Sequence, residues 1–124
     1  MLLSSTRRGA RLARLLTVAQ LCSWGLPTAT AAHVVAELSA NAVLHASVPG
    51  RNFRLALRLT GETTLRIEVS DTCGDQLPYE GGELPADDAE SGRGLQVVRA
   101  LADRWGVVAG PPPRKTVWAE ISLA

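Results

Sequence analysis

Two runs of alternating residues constrain this chain most. In FRLALRLT, Phe53, Leu55, Leu57 and Leu59 fall on one side, with Arg54, Ala56 and Arg58 on the other. In TLRIEVSD, Leu65, Ile67 and Val69 oppose Arg66, Glu68 and Ser70. A period of two sends successive side chains to opposite faces of a strand. Gly61-Glu62 between the runs predicts a hairpin. One face is dry and the other wet, as in an antiparallel sheet covered on one side only. The cover must come from elsewhere in the chain, and the helix-period segments can supply it.

The first such segment spans residues 7–23 and stops at Gly25 and Pro27. Leu12, Leu15, Leu16, Ala19 and Cys22 recur at helical spacing and are expected to form its buried face, with Arg7, Arg11 and Arg14 on another. A second helix is expected over about 31–46, capped by Thr28 or Thr30 and ending before Pro49-Gly50. Residues 72–93 lack periodicity and are rich in Gly, Pro and acid; so long a loop in a small domain is usually functional or disordered. A third helix follows Gly92-Arg93-Gly94, with Leu95, Val98, Leu101, Ala102 and Trp105 sharing a face. WGVVA reads as a short strand and TVWAEISL as a last one, with Val117, Ala119, Ile121 and Leu123 in phase. No repeat is visible. The class is α+β: two layers, helices on one face of a mixed, mostly antiparallel sheet.

At 124 residues the chain is one domain's worth. Its net charge of +1 gives no electrostatic case for direct nucleic-acid binding. Cys22 and Cys73, with only His33 and His45 beside them, show no metal-ligand spacing and read as reduced cytosolic thiols. The basic, then apolar, then small-residue order of residues 7–32 outlines a secretory signal. Thr17, Gln20 and Ser23 interrupt its apolar middle, and cleavage near Ala32 would discard a helix the fold needs; a structural amphipathic helix is the favoured reading. No apolar run reaches the length of a membrane span.

Three polar signals stand out. Glu37, Asn41 and His45, at i, i+4 and i+8, form one stripe of the second helix beside the apolar Val34, Leu38 and Ala42. Such a stripe can be a plain solvated edge. Yet Asn is a mediocre helix former, and its side-chain oxygen can ligate Mg²⁺ while a carboxylate one turn away takes a proton. Asp71, counted by twos from Val69, lands on the dry face at the strand's end, unless the strand has already stopped there. A carboxylate aimed into an apolar cleft can accept hydrogen bonds from a planar amine. Gly92 and Gly94 would let backbone approach a ligand closely at a helix start, or mark an ordinary turn. In this order the three could bind the base and the phosphates of ATP together with a magnesium ion.

VVAELSANAVLHA resembles the N box of the GHKL superfamily of ATP-binding domains, and LRIEVSDTCGDQLP its first glycine box. ESGRGLQVVRALADRWGV and KTVWAEISL resemble the second box and last strand, and WGLP ahead of the N box also fits. The nearest likeness is to the anti-sigma-factor serine kinases and small ATP-binding regulators of actinomycetes, over roughly residues 7–123. The resemblance implies a Bergerat-type α/β sandwich, from which this chain is expected to depart by lacking the usual N-terminal strand, because Met1 lies just ahead of the first helix. Residues 1–6 are expected to be disordered, and 7–124 to form one domain with a lid over about 76–92. It implies ATP and Mg²⁺ as cofactors, Asn41 as the Mg²⁺ ligand, Glu37 as catalytic base and Asp71 as reader of the adenine amino group. Gly92 and Gly94 become the phosphate cradle, with Arg93 and His45 as further nucleotide-binding candidates.

What the resemblance implies for function is a cytoplasmic regulator that binds a protein, a sigma factor or an anti-anti-sigma antagonist, and phosphorylates the antagonist on serine. The alternative is a degenerate module that sequesters its partner without phosphoryl transfer. Departures from the pattern feed that alternative. The first glycine box usually reads D-x-G-x-G, whereas Cys73 and Asp75 stand at its glycine positions and Gly74 is out of register. Glu90 occupies the place of a lid arginine, with Arg93 as the candidate replacement. Lys115 takes the in-phase slot where the family tends to carry threonine, and Thr116 is out of phase. A missing first strand would also put a homodimer in doubt.

Overall fold

The computed structural model describes residues 1–44, 52–61, 63–71, 89–109 and 115–123, and for 71, 89–94 and 109 the backbone alone. In chain order the elements are β1 (Leu2–Ser4), α1 (Arg7–Ser23), α2 (Ala29–Leu44), β2 (Asn52–Thr60), β3 (Thr64–Asp71), α3 (Ala89–Leu101), β4 (Arg104–Ala109) and β5 (Lys115–Ser122). The alternating runs become the β2–β3 hairpin. Gly61, at φ +67°, turns it in a backbone region that side chains rarely adopt. Pairing sets Leu55 opposite Val69, Leu57 opposite Ile67 and Leu59 opposite Leu65, so both dry sets face one way. On β3's other side, Leu65, Ile67 and Val69 meet Ile121, Ala119 and Val117 of β5. The strand order is β1-β2-β3-β5-β4, and every pairing among the described strands is antiparallel, so the sheet is not mixed.

All three helices belong to the dry side. Phe53, Leu55, Leu65, Ile67 and Ala119 are fully buried in one core with Val34, Val35 and Leu38 of α2 and Val98 of α3. Each Val, Leu, Ile or Phe side chain so withdrawn from water contributes about 1.5–3 kcal/mol.

The N-terminal strand expected to be missing is present. Leu2, Leu3 and Ser4, within the residues expected to be disordered, pair with Arg54, Phe53 and Asn52. Met1 extends the ladder: its ammonium donates to the Leu55 carbonyl at 2.7 Å and its carbonyl accepts from Leu55 N–H at 2.8 Å. Leu3 is buried, whereas Leu2 and Ser4 point outward. A strand of three residues is too short for alternation to announce itself.

Helix α1 has the expected bounds but buries a different face. Thr6, in extended conformation, caps it by accepting from Gly9 N–H at 3.0 Å. At the other end Gly25 (φ +73°) donates to Cys22 and Leu26 to Leu21, a Schellman stop. The buried stripe is Gly9, Ala13, Thr17 and Leu21. Leu12, Ala19 and Cys22 are exposed, Leu15 is 58% exposed, and only Leu16 of the expected face reaches the core. Close approach decides the matter. A Cβ on Gly9 would overlap the Ser4 carbonyl oxygen, and the small Gly9–Ala13–Thr17 ridge is what lets the helix lie so near β1. The Thr17 hydroxyl is satisfied by Ala13 O at 2.8 Å.

The wet face carries a charge lattice. Register lines up Arg58, Arg66, Glu120 and Arg104 across β2, β3, β5 and β4. Directly opposed arginines repel. Arg66 turns away to Glu68 (2.7 Å) and Glu120 (3.0 Å), while Arg104 takes Glu120's other oxygen at 2.7 Å. The Glu68 hydrogen bond, more than any other contact, holds the Arg66 guanidinium above its ordinary pKa. Arg66 also stacks over Trp118, 4.4 Å from the ring centre.

Candidate functional site

Helix α2 holds the site's centre. It packs against α1 on one side, α3 on the other, and β2, β3 and β5 beneath. So enclosed a helix is apolar nearly all round, and Ala31, Ala32, Val34, Val35, Leu38 and Ala42 are buried. Its polar strip is what sequence spacing indicated. Glu37 is half-buried at 31% exposure, and one turn before it His33 brings Nε2 to 3.6 Å from Glu37 Oε1. Asn41, one turn after, is 7% exposed. Among the described residues its amide makes no hydrogen bond. Among the described residues the buried side-chain atoms without a partner are Ser5 Oγ and Ser39 Oγ, so the Asn41 amide keeps contact with solvent, where a ligand can reach it.

The chemistry of the donor set is the test of fit for magnesium. Mg²⁺ takes oxygen ligands, keeps several waters and shares substrate phosphates, so one protein oxygen beside one carboxylate suffices. The described residues hold no cluster of three His, Cys, Asp or Glu, which excludes an all-protein cage among them. Asn41 and Glu37 therefore fit a nucleotide-borne Mg²⁺.

Asp71 closes β3. It is still in the strand, between Phe53 of β2 and Lys115 of β5, and so in phase with Val69 as the count by twos required. α2 contacts both β3 and α3, so the helix carrying Asn41 adjoins the strand carrying Asp71 and the helix carrying Gly92.

Gly92-Arg93-Gly94 does not precede the third helix as expected. α3 starts at Ala89, and these residues lie inside its first two turns. The unbonded N–H groups of the helix start thus come before Gly92, and what the glycines offer is backbone without side chains. The part of the expected lid from 76 to 88 lies outside the described residues, as do His45, Cys73 and Asp75; 89–92 are the beginning of α3.

Two further residues were not marked as site residues by the sequence. His33, beside Glu37, was legible from its i, i+4 spacing. Lys115 is 2% exposed, and its burial follows from its phase with Val117, Ala119 and Ile121. Among the described residues no helix is long and apolar enough to cross a membrane.

Comparison with known proteins agrees with this layout. The model of the family described as "Histidine kinase-like ATPase domain" matches residues 3–121. No curated protein matches the chain.

Proposed function

The chain belongs to the histidine kinase-like ATPase domain family, which implies ATP binding, and from that premise we propose that it is a cytoplasmic, Mg²⁺-dependent regulator that phosphorylates a partner protein on serine. The observation that carries the proposal is Asn41, 7% exposed, one turn from the half-buried Glu37 on the same strip of α2. Asn41 would hold Mg²⁺ through its side-chain oxygen, and the ion would neutralise charge on the phosphates. Glu37 accepts the proton of the partner's serine hydroxyl as that oxygen bonds to the γ-phosphorus and the bond to ADP breaks. Asp71 accepts from the adenine amino group. Gly92 and Gly94 admit the phosphates close to backbone, with Arg93 and His45 adding donors. The partner is an anti-anti-sigma-like antagonist, with a sigma factor as the regulated client.

A second reading has its own support. Cys73 and Asp75 stand where the resembled motif has glycines, and Asp75 adds negative charge to a site for a polyanion. On that reading the chain binds nucleotide and sequesters its partner without phosphoryl transfer.

Thermal unfolding with and without MgATP tests the site itself. The melting temperature should rise with ligand, by linkage worth about 2.7 kcal/mol at a hundredfold excess over Kd. Asn41→Ala should abolish the rise. An unchanged melting temperature for the native chain at millimolar ATP would remove the nucleotide site from the account. Incubation with γ-labelled ATP and the candidate antagonist then separates the kinase, which labels the antagonist, from the sequestering module, which does not.

A further inference from the structure

Lys115 is the most deeply buried charged residue described, at 2% exposure. It occupies the first position of β5, on the face the helices cover, alternating with Val117, Ala119 and Ile121. An ammonium taken from water costs several kcal/mol unless an opposite charge compensates. Register places Lys115 directly opposite Asp71. Residues so paired have Cβ atoms about 4.5–5.5 Å apart on a common face. Phe53, fully buried, is opposite Asp71 on its other side. One row of the sheet thus holds Phe53, Asp71 and Lys115, at the end where β3 leaves the sheet and β5 enters it.

The inference rests on reading Asp71 as the group that recognises the base. A lone carboxylate selects a 6-aminopurine, because it accepts from the amino group and repels an oxygen at that position. An ammonium in the same row reverses the second effect: it donates to a ring nitrogen of adenine or to the O6 of a 6-oxopurine. The acid can then accept from the protonated ring nitrogen that a 6-oxopurine presents. Acceptor and donor side by side match either edge.

We propose that Lys115 is a base-specificity residue, and that through it the site admits 6-oxopurine nucleoside triphosphates as well as ATP. ITP is the probe, since it differs from ATP only at the 6-position and in the proton on the adjoining ring nitrogen.

Competition against a fluorescent ATP analogue gives the affinities of the intact chain for ATP and ITP. ITP should bind within about tenfold of ATP, a gap of about 1.4 kcal/mol or less. Lys115→Met, which keeps length and removes the charge, should widen the preference for ATP by at least about tenfold. Lys115→Arg, which keeps charge and donors, should leave the ratio near that of the native chain. An ATP preference beyond about a hundredfold in the native chain overturns the proposal without need of any variant. An unchanged ratio in a folded Lys115→Met overturns it as well. Both results leave ATP binding standing. If neither triphosphate competes and neither raises the melting temperature, the nucleotide site falls, and this inference with it.

Discussion

His33 Nε2 lies 3.6 Å from Glu37 Oε1, one turn earlier on α2. The relation orders two roles by exposure. His33 is 55% exposed and Glu37 31%, so the histidine is the outer member and the carboxylate the one nearer the buried Asn41. If Glu37 is the base, Glu37→Gln removes a proton acceptor while keeping shape. Phosphate transfer should fall by about 10²–10⁴, the usual weight of a general base, with the ATP-induced rise in melting temperature retained. His33→Ala should change transfer only about twofold, the scale of an exposed i, i+4 pair. Measured transfer rates decide: an undiminished rate in Glu37→Gln removes the base assignment.

Much of this fold could be read before it was seen, and the reasons differ by element. β2, β3 and β5 carry strict alternation because one face is sealed by helices, and a slip of one residue would invert it. The buried phase of Lys115 and the in-strand position of Asp71 follow from the same arithmetic. Helix α1 misled because hydrophobicity ranked Leu12 and Leu15 above Gly9 and Ala13. Its packing is set instead by how near the backbone must come to Ser4, and nothing in a hydrophobic period reports a distance. β1 was invisible at three residues, since its pairing partner lies some fifty positions away. The start of α3 was misplaced because glycines look like helix boundaries, whereas Gly92 and Gly94 lie within the helix. Of the site, the α2 strip was legible from spacing, but the near burial of Asn41 needed coordinates.

Gly9 gives a prediction with an inverted sign. In an exposed helix, Gly→Ala stabilises by about 1 kcal/mol. Here the new Cβ would overlap the Ser4 carbonyl oxygen, a backbone atom that can yield only if β1 moves. Gly9→Ala should therefore destabilise, by about 1–3 kcal/mol, the usual cost of overpacking. Chemical denaturation measures it. Protection of the Leu55 amide from hydrogen exchange should drop too, because that amide donates to Met1 at the same edge. A stabilised Gly9→Ala protein would contradict the close packing of α1 on β1.

Gly106 and Trp118 provide a second inverted sign on the opposite face of the sheet. They are direct partners in the β4–β5 ladder, and a Cβ on Gly106 would stand 2.9 Å from Cζ2 and Nε1 of the indole. Strands ordinarily favour alanine over glycine, but here the ring must shift to admit it. The ring is not free to do so cheaply, since Arg66 stacks on it at 4.4 Å while bonded to Glu68 and Glu120. Gly106→Ala should thus destabilise the native chain by about 1–3 kcal/mol. In a Trp118→Leu background the obstructing ring is gone, and the same change should cost under about 0.5 kcal/mol, the scale of an ordinary surface substitution. Urea unfolding of the two single variants and the double variant completes a thermodynamic cycle. A coupling of about 1 kcal/mol or more is expected for residues in contact. Additivity within about 0.3–0.5 kcal/mol would mean that the indole does not lie over Gly106 in solution.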